Sequence, residues 1–245
     1  MAFSNLCHHK PGRSFSHDPS NPQLVTWTRF QLASSSQPDT DAWASYFQPL
    51  VHDVGHCQTV WGRVKESAKP EVLVVTLVWW TASEYRDFKS SPTAQLYHET
   101  LTTSGIVPLA SHETVYSGTS PPWFHLLQKG YIQLISVDFP APVDEPQRAQ
   151  IQKLRGYRPP ALRFHAQPDE WDALRGPVMV WAAQTEWRNG QEIQLMLWPH
   201  FWRDAGRAER RLVASVRERF GRQLEQFRPV EWQEDFLEFE LVPCI

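Results

Sequence analysis

The stretch EVLVVTLVWWTASEYRDFKSSP, residues 71–92, decides the fold. An apolar run of strand type ends in two tryptophans and passes at once into a polar segment with helical spacing. About 120 residues later EIQLMLWPHFWRDAGRAERR, residues 192–211, follows the same plan. A strand that feeds a helix, written twice, predicts two copies of one supersecondary unit.

Working outward in the first half, LVTWTRFQL (24–32) reads as a strand from its β-branched and aromatic content. In DTDAWASYFQPLVHDVG (39–55) the apolar residues Trp43, Phe47, Leu50, Val51 and Val54 fall at helical spacing. Asp39 or Asp41 caps that helix, Pro49 kinks it and Gly55 ends it. CQTVWGRVKE and EVLVVTLVWW are two strands. A helical region follows over 83–104, interrupted near Pro92 and ended at Gly105, and PLASHETVY (108–116) is the last strand. The order β-α-β-β-α-β is the ferredoxin-like split motif. The second half repeats it: YIQLISVDF, a short helix over DEPQRAQIQKL capped by Asp144, GPVMVWAAQTEW, EIQLMLW, one long helix over 203–227, and WQEDFLEFELV. That helix carries an apolar stripe of Ala208, Leu212, Val216, Phe220, Leu224 and Phe227.

Asn189-Gly190 predicts a two-residue hairpin, because both positions tolerate positive φ. Extending its register places Trp187 opposite Glu192 and Trp181 opposite Trp198. Trp181 follows Trp61 by 120 residues and Trp198 follows Trp79 by 119, which reads as a duplication. The expected organisation is an arm over 1–21, a first repeat over 22–118, a linker over 119–130 and a second repeat over 131–245.

The residues Gly55, Cys57, Trp61, Gly62, Arg63, Trp79, Phe88, Ser91 and Pro92 resemble a pattern of the antibiotic-biosynthesis-monooxygenase-like branch of the dimeric α/β-barrel superfamily, in particular its fungal members. The resemblance covers residues 22–118, and 131–242 in outline. The second half lacks a Trp-Gly-Arg, and Arg207 stands near the place of the helix phenylalanine. The resemblance implies an α+β fold in which two sheets pack face to face, here within one chain as a pseudo-dimer. It also implies a range of chemistry: cofactor-free oxygenation of aromatic polyketides, isomerisation, decarboxylation, cyclisation and haem chemistry. Fold alone does not choose among these.

Composition narrows the classes. A hydrophobic content of 41% with 13% aromatics suffices for a packed core and excludes a disordered chain. A net charge of −3 gives no reason to expect nucleic-acid binding. The arginines of 203–222 alternate with acids and read as a solvated helix face. Cys7, Cys57 and Cys244 are scattered, so the expectation is a reduced, cytoplasmic protein without disulfides. No apolar run approaches the roughly 20 residues of a spanning helix, and the start of the chain lacks the apolar core of a signal peptide. Cys7, His8 and His9 read as part of a solvated arm rather than a metal site.

No dinucleotide, P-loop, zinc-protease or serine-hydrolase motif occurs. The expectation is an enzyme of specialised metabolism that works without a cofactor, by proton transfer on an apolar aromatic or polyketide-like substrate. The reaction expected first is a cyclisation or isomerisation. A cofactor-free monooxygenase is the nearest alternative. Further alternatives are a haem protein with His165 or His200 as ligand, and a non-catalytic binding protein. Many tryptophans serve only to fill a core, but Trp27, Trp61, Trp79 and Tyr85 are taken as walls of an apolar pocket in the first repeat. Histidine suits general acid-base work near neutrality. His112 and His56 are the first candidates, with His200 and Glu186 behind them and Arg63 as an oxyanion partner. Glu113 and Asp138 are further strand carboxylates. A tandem chain is expected to be a monomer, or to pair weakly through an edge strand.

Overall fold

The computed structural model describes residues 20–32, 40–51, 53, 55–65, 72–116, 126–127, 130–154, 156–157, 173–175 and 178–242. Two compact units divide the chain: the second runs Trp123–Phe239, and the first comprises the remainder, including the segment from Glu240 onward.

The first unit follows the expected order: β1 (Gln23–Gln31), α1 (Thr40–Val51), β2 (His56–Lys65), β3 (Val72–Trp79), α2 (Ala82–Lys89), α3 (Pro92–Thr103) and β4 (Val107–Tyr116). β1 lies antiparallel between β3 and β4, and β3 also pairs with β2. Strand order is therefore β4-β1-β3-β2, that of the split motif. β11 (Glu240–Leu241) adds to β2, with Glu240 opposite Trp61. Pro49 lies inside α1. Pro92 starts α3 behind the cap Ser91, where its missing N–H costs nothing.

In the second unit β5 (Tyr131–Pro140) lies between β9 (Gln191–Trp202) and β10 (Glu231–Glu238). α4 (Glu145–Ile151) is capped by Asp144, whose carboxylate accepts from Gln147 N–H at 2.7 Å. Three short strands pair with the far side of β9: β6 (Ala173–Arg175), β7 (Val180–Trp181) and β8 (Glu186–Arg188). α5 (Ala205–Arg211) and α6 (Ala214–Glu225) precede β10.

Three expectations need correction. The hairpin register holds at the tip, with Trp187 opposite Glu192. It then slips by two residues, and Trp181 lies opposite Met196 rather than Trp198. Ala183, Gln184 and Thr185 together span the length that Gln194 spans alone on β9. A slip of two keeps the face, so Trp181 still packs on the same core as Trp198. The long helix over 203–227 is two helices, separated at Leu212 and Val213. The segment WQEDFLEFELV is not one strand, because β10 ends at Glu238 and β11 pairs within the first unit.

From β3 to β4 the units correspond at a shift of 123 residues, with α6 bounded one residue earlier than α3 on that shift. It carries cap Thr81 onto cap Asp204, and Trp79 onto Trp202. It carries Tyr97 and Leu101, buried on α3, onto Phe220 and Leu224, buried on α6. It also carries Gly105 (φ 71) onto Arg228 (φ 50), both in the left-handed region after a helix. On β1 the sheet register then makes Leu24 equivalent to Tyr131 and Thr26 to Gln133.

Each sheet packs one face on its helices. In the first unit Trp79 meets Phe88 at 4.7 Å and Tyr85 at 5.2 Å between ring centroids, and Tyr97 lies between Phe88 and Phe47. In the second, Phe220 meets Tyr157 at 4.4 Å and Trp198 at 5.5 Å. Gly55 sets the height of α2: a Cβ there would stand 2.3 Å from Glu84 Cβ, and its carbonyl accepts from Trp80 N–H.

Two stability outcomes follow. Gly55→Ala should destabilise by about 1–3 kcal/mol through overpacking. Arg228→Gly should stabilise by about 1 kcal/mol, since it relieves a left-handed conformation that costs a side chain. Urea unfolding of the two variants measures both.

Candidate functional site

Strand parity sorts the expected site residues. On the face of the first sheet that meets the helices, successive rows are His56–Trp79–Leu24–Val115, Thr59–Leu77–Thr26–Glu113 and Trp61–Val75–Thr28–Ser111. Tyr85 and Phe88 of α2 lie over the first of these. Thus Trp61, Trp79, Tyr85 and His56 share one layer. Trp27 and His112 pair directly with each other on the opposite face. Trp27 donates there to Thr114 Oγ1 at 3.2 Å. A single pocket walled by Trp27 together with Trp61, Trp79 and Tyr85 is therefore ruled out by the alternation of the strand.

Arg63 lies on the helix side but opposite Leu73, six residues from Trp79 along β3. That is about 20 Å of strand, too far to meet His56. Glu186 and His200 belong to the second unit. Glu186 receives Arg188 at 3.0 Å, and Arg188 also reaches the buried Asp138 at 2.8 Å. Burial raises the Asp138 carboxyl above its ordinary value, and Arg188 opposes the rise. His200 has both ring nitrogens engaged. Nδ1 lies 3.0 Å from Trp198 O, a carbonyl that can only accept, so Nδ1 carries the proton. Nε2 accepts from Tyr157 N–H at 3.2 Å. Neither nitrogen is placed to ligate a haem iron in this arrangement. His165 lies outside the described residues, as do His8, His9 and Cys7.

The layer under α2 gathers the candidate residues most closely. His56 is buried, its Nε2 2.8 Å from Thr59 Oγ1, and its ring stands edge-on to Trp79 at 5.5 Å. Trp79 is wholly buried, and its Nε1–H has no hydrogen-bond partner among the described residues. Thr26 Oγ1, buried one row away, also has none. A buried donor left unpaired costs about 1–3 kcal/mol, so each such atom marks a place where an incoming oxygen would bind favourably. At the rim Glu113 receives Lys89 at 2.8 Å, and Lys89 lies 5.4 Å over the Tyr85 ring. Burial first, then the charge of Glu113 and a hydrogen bond to it, hold the Tyr85 phenol above the ordinary phenol range. It remains a proton donor at neutral pH. The Cys57 thiol is pushed up to about 12 by burial and is no nucleophile.

Sequence reading missed Thr26, Thr59 and Lys89 as members of this group. Threonine and lysine carry no motif: the register of β1 reveals Thr26, that of β2 reveals Thr59, and the ion pair with Glu113 reveals Lys89. Among the described residues no group of His, Cys, Asp and Glu is placed to hold a metal, and no helix is long and apolar enough to cross a membrane.

No family model and no curated protein matches the chain. Solved structures do. An anthrone oxidase-like protein is similar at 10% identity and a TM-score of 0.53, over 91% of this chain and 95% of that one. A candidate monooxygenase of Fusobacterium nucleatum is similar at 10% identity and a TM-score of 0.50, over 91% of this chain and 96% of that one. The likeness shows the fold: the α+β fold of the dimeric α/β-barrel class, with two ferredoxin-like units in one chain.

The buried phenols give a pH outcome. Tyr85 and Tyr97 are both raised, chiefly by burial. Below the ordinary phenol value, about 10, both are protonated folded or unfolded and their contribution is complete. Above it the unfolded chain releases protons that the folded chain keeps, so stability falls as pH rises, by up to about 1.4 kcal/mol per pH unit for each group. Unfolding midpoints between pH 8 and 11 should fall with pH less steeply in Tyr97→Phe than in the wild type.

Proposed function

We propose that the chain is a cofactor-independent enzyme acting on a flat, apolar aromatic or polyketide-like substrate, and that its first step is removal of a proton from an acidic carbon. The unpaired Nε1–H of Trp79, buried beside His56 and Tyr85, carries this reading. His56 takes the proton. Trp79 Nε1–H donates to the oxygen on which negative charge develops, and the Tyr85 phenol turns to it from Glu113, in a site that excludes water. Thr26 Oγ1 adds a contact one row away.

An enolate held in this way opens to cyclisation, isomerisation or oxygenation. The names carried by the similar structures, anthrone oxidase-like and monooxygenase, favour oxygenation. The carbanion then reduces dioxygen, its methylene becomes a carbonyl, and the second oxygen atom leaves as water.

The test is turnover of 1,8-dihydroxyanthrone under air and under argon, corrected for spontaneous oxidation. We expect oxygen-dependent formation of the anthraquinone. His56→Ala and Tyr85→Phe should each lower turnover by about 10²- to 10⁴-fold, the usual contribution of a positioned acid or base. His112→Ala, altered on the other face, should stay within a few-fold of wild type. Full turnover by both His56→Ala and Tyr85→Phe, at unchanged melting temperature, would refute the assignment.

A further inference from the structure

The shift of 123 residues allows the first unit's site to be compared with its counterpart in the second. Trp79 corresponds to Trp202, and both are buried at the end of the strand that feeds a helix. Thr26 corresponds to Gln133, each on the central strand two residues from the partner of that tryptophan. Around them the chemistry has changed. Tyr85 becomes Ala208, buried and without a phenol. Glu113 becomes Phe236, whose ring stacks on Tyr131 at 5.6 Å. Phe88 becomes Arg211.

The decisive difference is in the tryptophans. Trp79 Nε1–H has no hydrogen-bond partner, whereas Trp202 Nε1–H donates to Gln133 Oε1 at 3.1 Å. Gln133 is wholly buried, and its Nε2 has no partner of its own. A carboxamide reaches further from β5 than the hydroxyl of Thr26 reaches from β1. Its carbonyl oxygen accepts from the indole whose counterpart in the first unit has no acceptor among the described residues.

We infer that the second unit's counterpart of the site is closed from within by Gln133, and that each chain therefore holds one working site, in the first unit. The inference rests on the functional reading for what the first site binds, but not for the closure of the second. Gln133 is a built-in occupant, a carbonyl oxygen on Trp202 where an incoming carbonyl or phenolate oxygen would sit on Trp79. Replacing it by threonine, the first unit's own residue, frees the second indole for a ligand of the same class. Ala208 and Phe236 still deny that pocket a proton donor and a carboxylate, so it binds without catalysing.

The test follows the indole ¹⁵N–H resonances of the full chain, assigned with Trp79→Phe and Trp202→Phe. Without ligand, Gln133→Leu and Gln133→Thr should each move the Trp202 resonance upfield and leave Trp79 in place. The probe is then 1,8-dihydroxyanthraquinone. Wild type should bind one equivalent by calorimetry, with Trp79 shifting and Trp202 still. Trp79→Phe should weaken binding at least tenfold and Trp202→Phe less than twofold, with melting temperatures confirming the fold. Gln133→Thr should make Trp202 respond to the probe. A Trp202 resonance indifferent to both Gln133 variants would overturn the closure. So would two equivalents bound by wild type, or Trp202 shifting together with Trp79. A wild-type chain that binds no probe, while the Gln133 variants move Trp202 as expected, would sink the functional reading and leave the closure standing.

Discussion

Trp79 is the residue on which the first unit turns. It ends the strand that pairs with β1 on one side and β2 on the other, opposite Leu24 and His56. Its ring packs on Tyr85 and Phe88, so the sheet and α2 share it. Backbone hydrogen bonds lock the same corner: Trp80 N–H donates to Gly55 O, and Ala82 N–H to Pro22 O. The absence of a Cβ at Gly55 lets α2 descend onto the sheet. The buried indole N–H without a partner is unfavourable by itself. The surrounding aromatic packing more than offsets it, since an aromatic pair contributes about 0.5–1.5 kcal/mol beyond its burial. A stable corner can therefore hold one unsatisfied donor in a fixed direction, as a preorganised binding group requires.

The strands of the first unit, and β5 and β9 of the second, were legible because β-branched and aromatic runs stood between Gly, Pro and Asn breaks; GPVMVWAAQTEW, read as one strand, is instead the short strands β7 and β8, and β6 was not foreseen. The tip of the β8–β9 hairpin was legible from Asn189-Gly190, which takes positive φ at both residues. What failed was propagation away from that tip. Ala183–Thr185 carries no special residue that announces an irregularity, yet it displaces Trp181 by two positions. The long second-unit helix looked continuous because its apolar stripe is regular. The sheet nevertheless requires the same break that Ser91-Pro92 marks in the first unit, and Val213 supplies it without any side-chain cap. Local propensity gave way there to tertiary packing.

The site was only partly legible for a related reason. Trp61, Trp79, Tyr85 and His56 fall in one layer, since β2, β3 and α2 follow one another closely in the chain. Trp27 and His112 lie on strands that meet the others through crossovers rather than tight turns. No short turn fixes their register, and one residue of register moves a side chain to the other face. The correspondence of the two units was also read through other residues. Matching tryptophan to tryptophan gave shifts of 119 and 120, while the caps Thr81 and Asp204 and the left-handed residues Gly105 and Arg228 agree on 123. Backbone constraints keep their places when side chains diverge, because a cap or a positive φ is required by the path of the chain.

That divergence is uneven in an informative way. Positions that fill the core have stayed apolar between the units: Tyr97 and Phe220, Leu101 and Leu224, Trp79 and Trp202 are all buried. Positions around Trp79 and Trp202 differ in chemistry instead: Tyr85 against Ala208, Glu113 against Phe236, Thr26 against Gln133. The hydrogen bond from Trp202 to Gln133 satisfies the indole of the second unit from within the chain, and the buried Gln133 Nε2 takes over the place of the unpaired donor. What differs between the units is therefore which group carries the unpaired N–H: the tryptophan at the end of the strand in the first, a side chain lying against that tryptophan in the second.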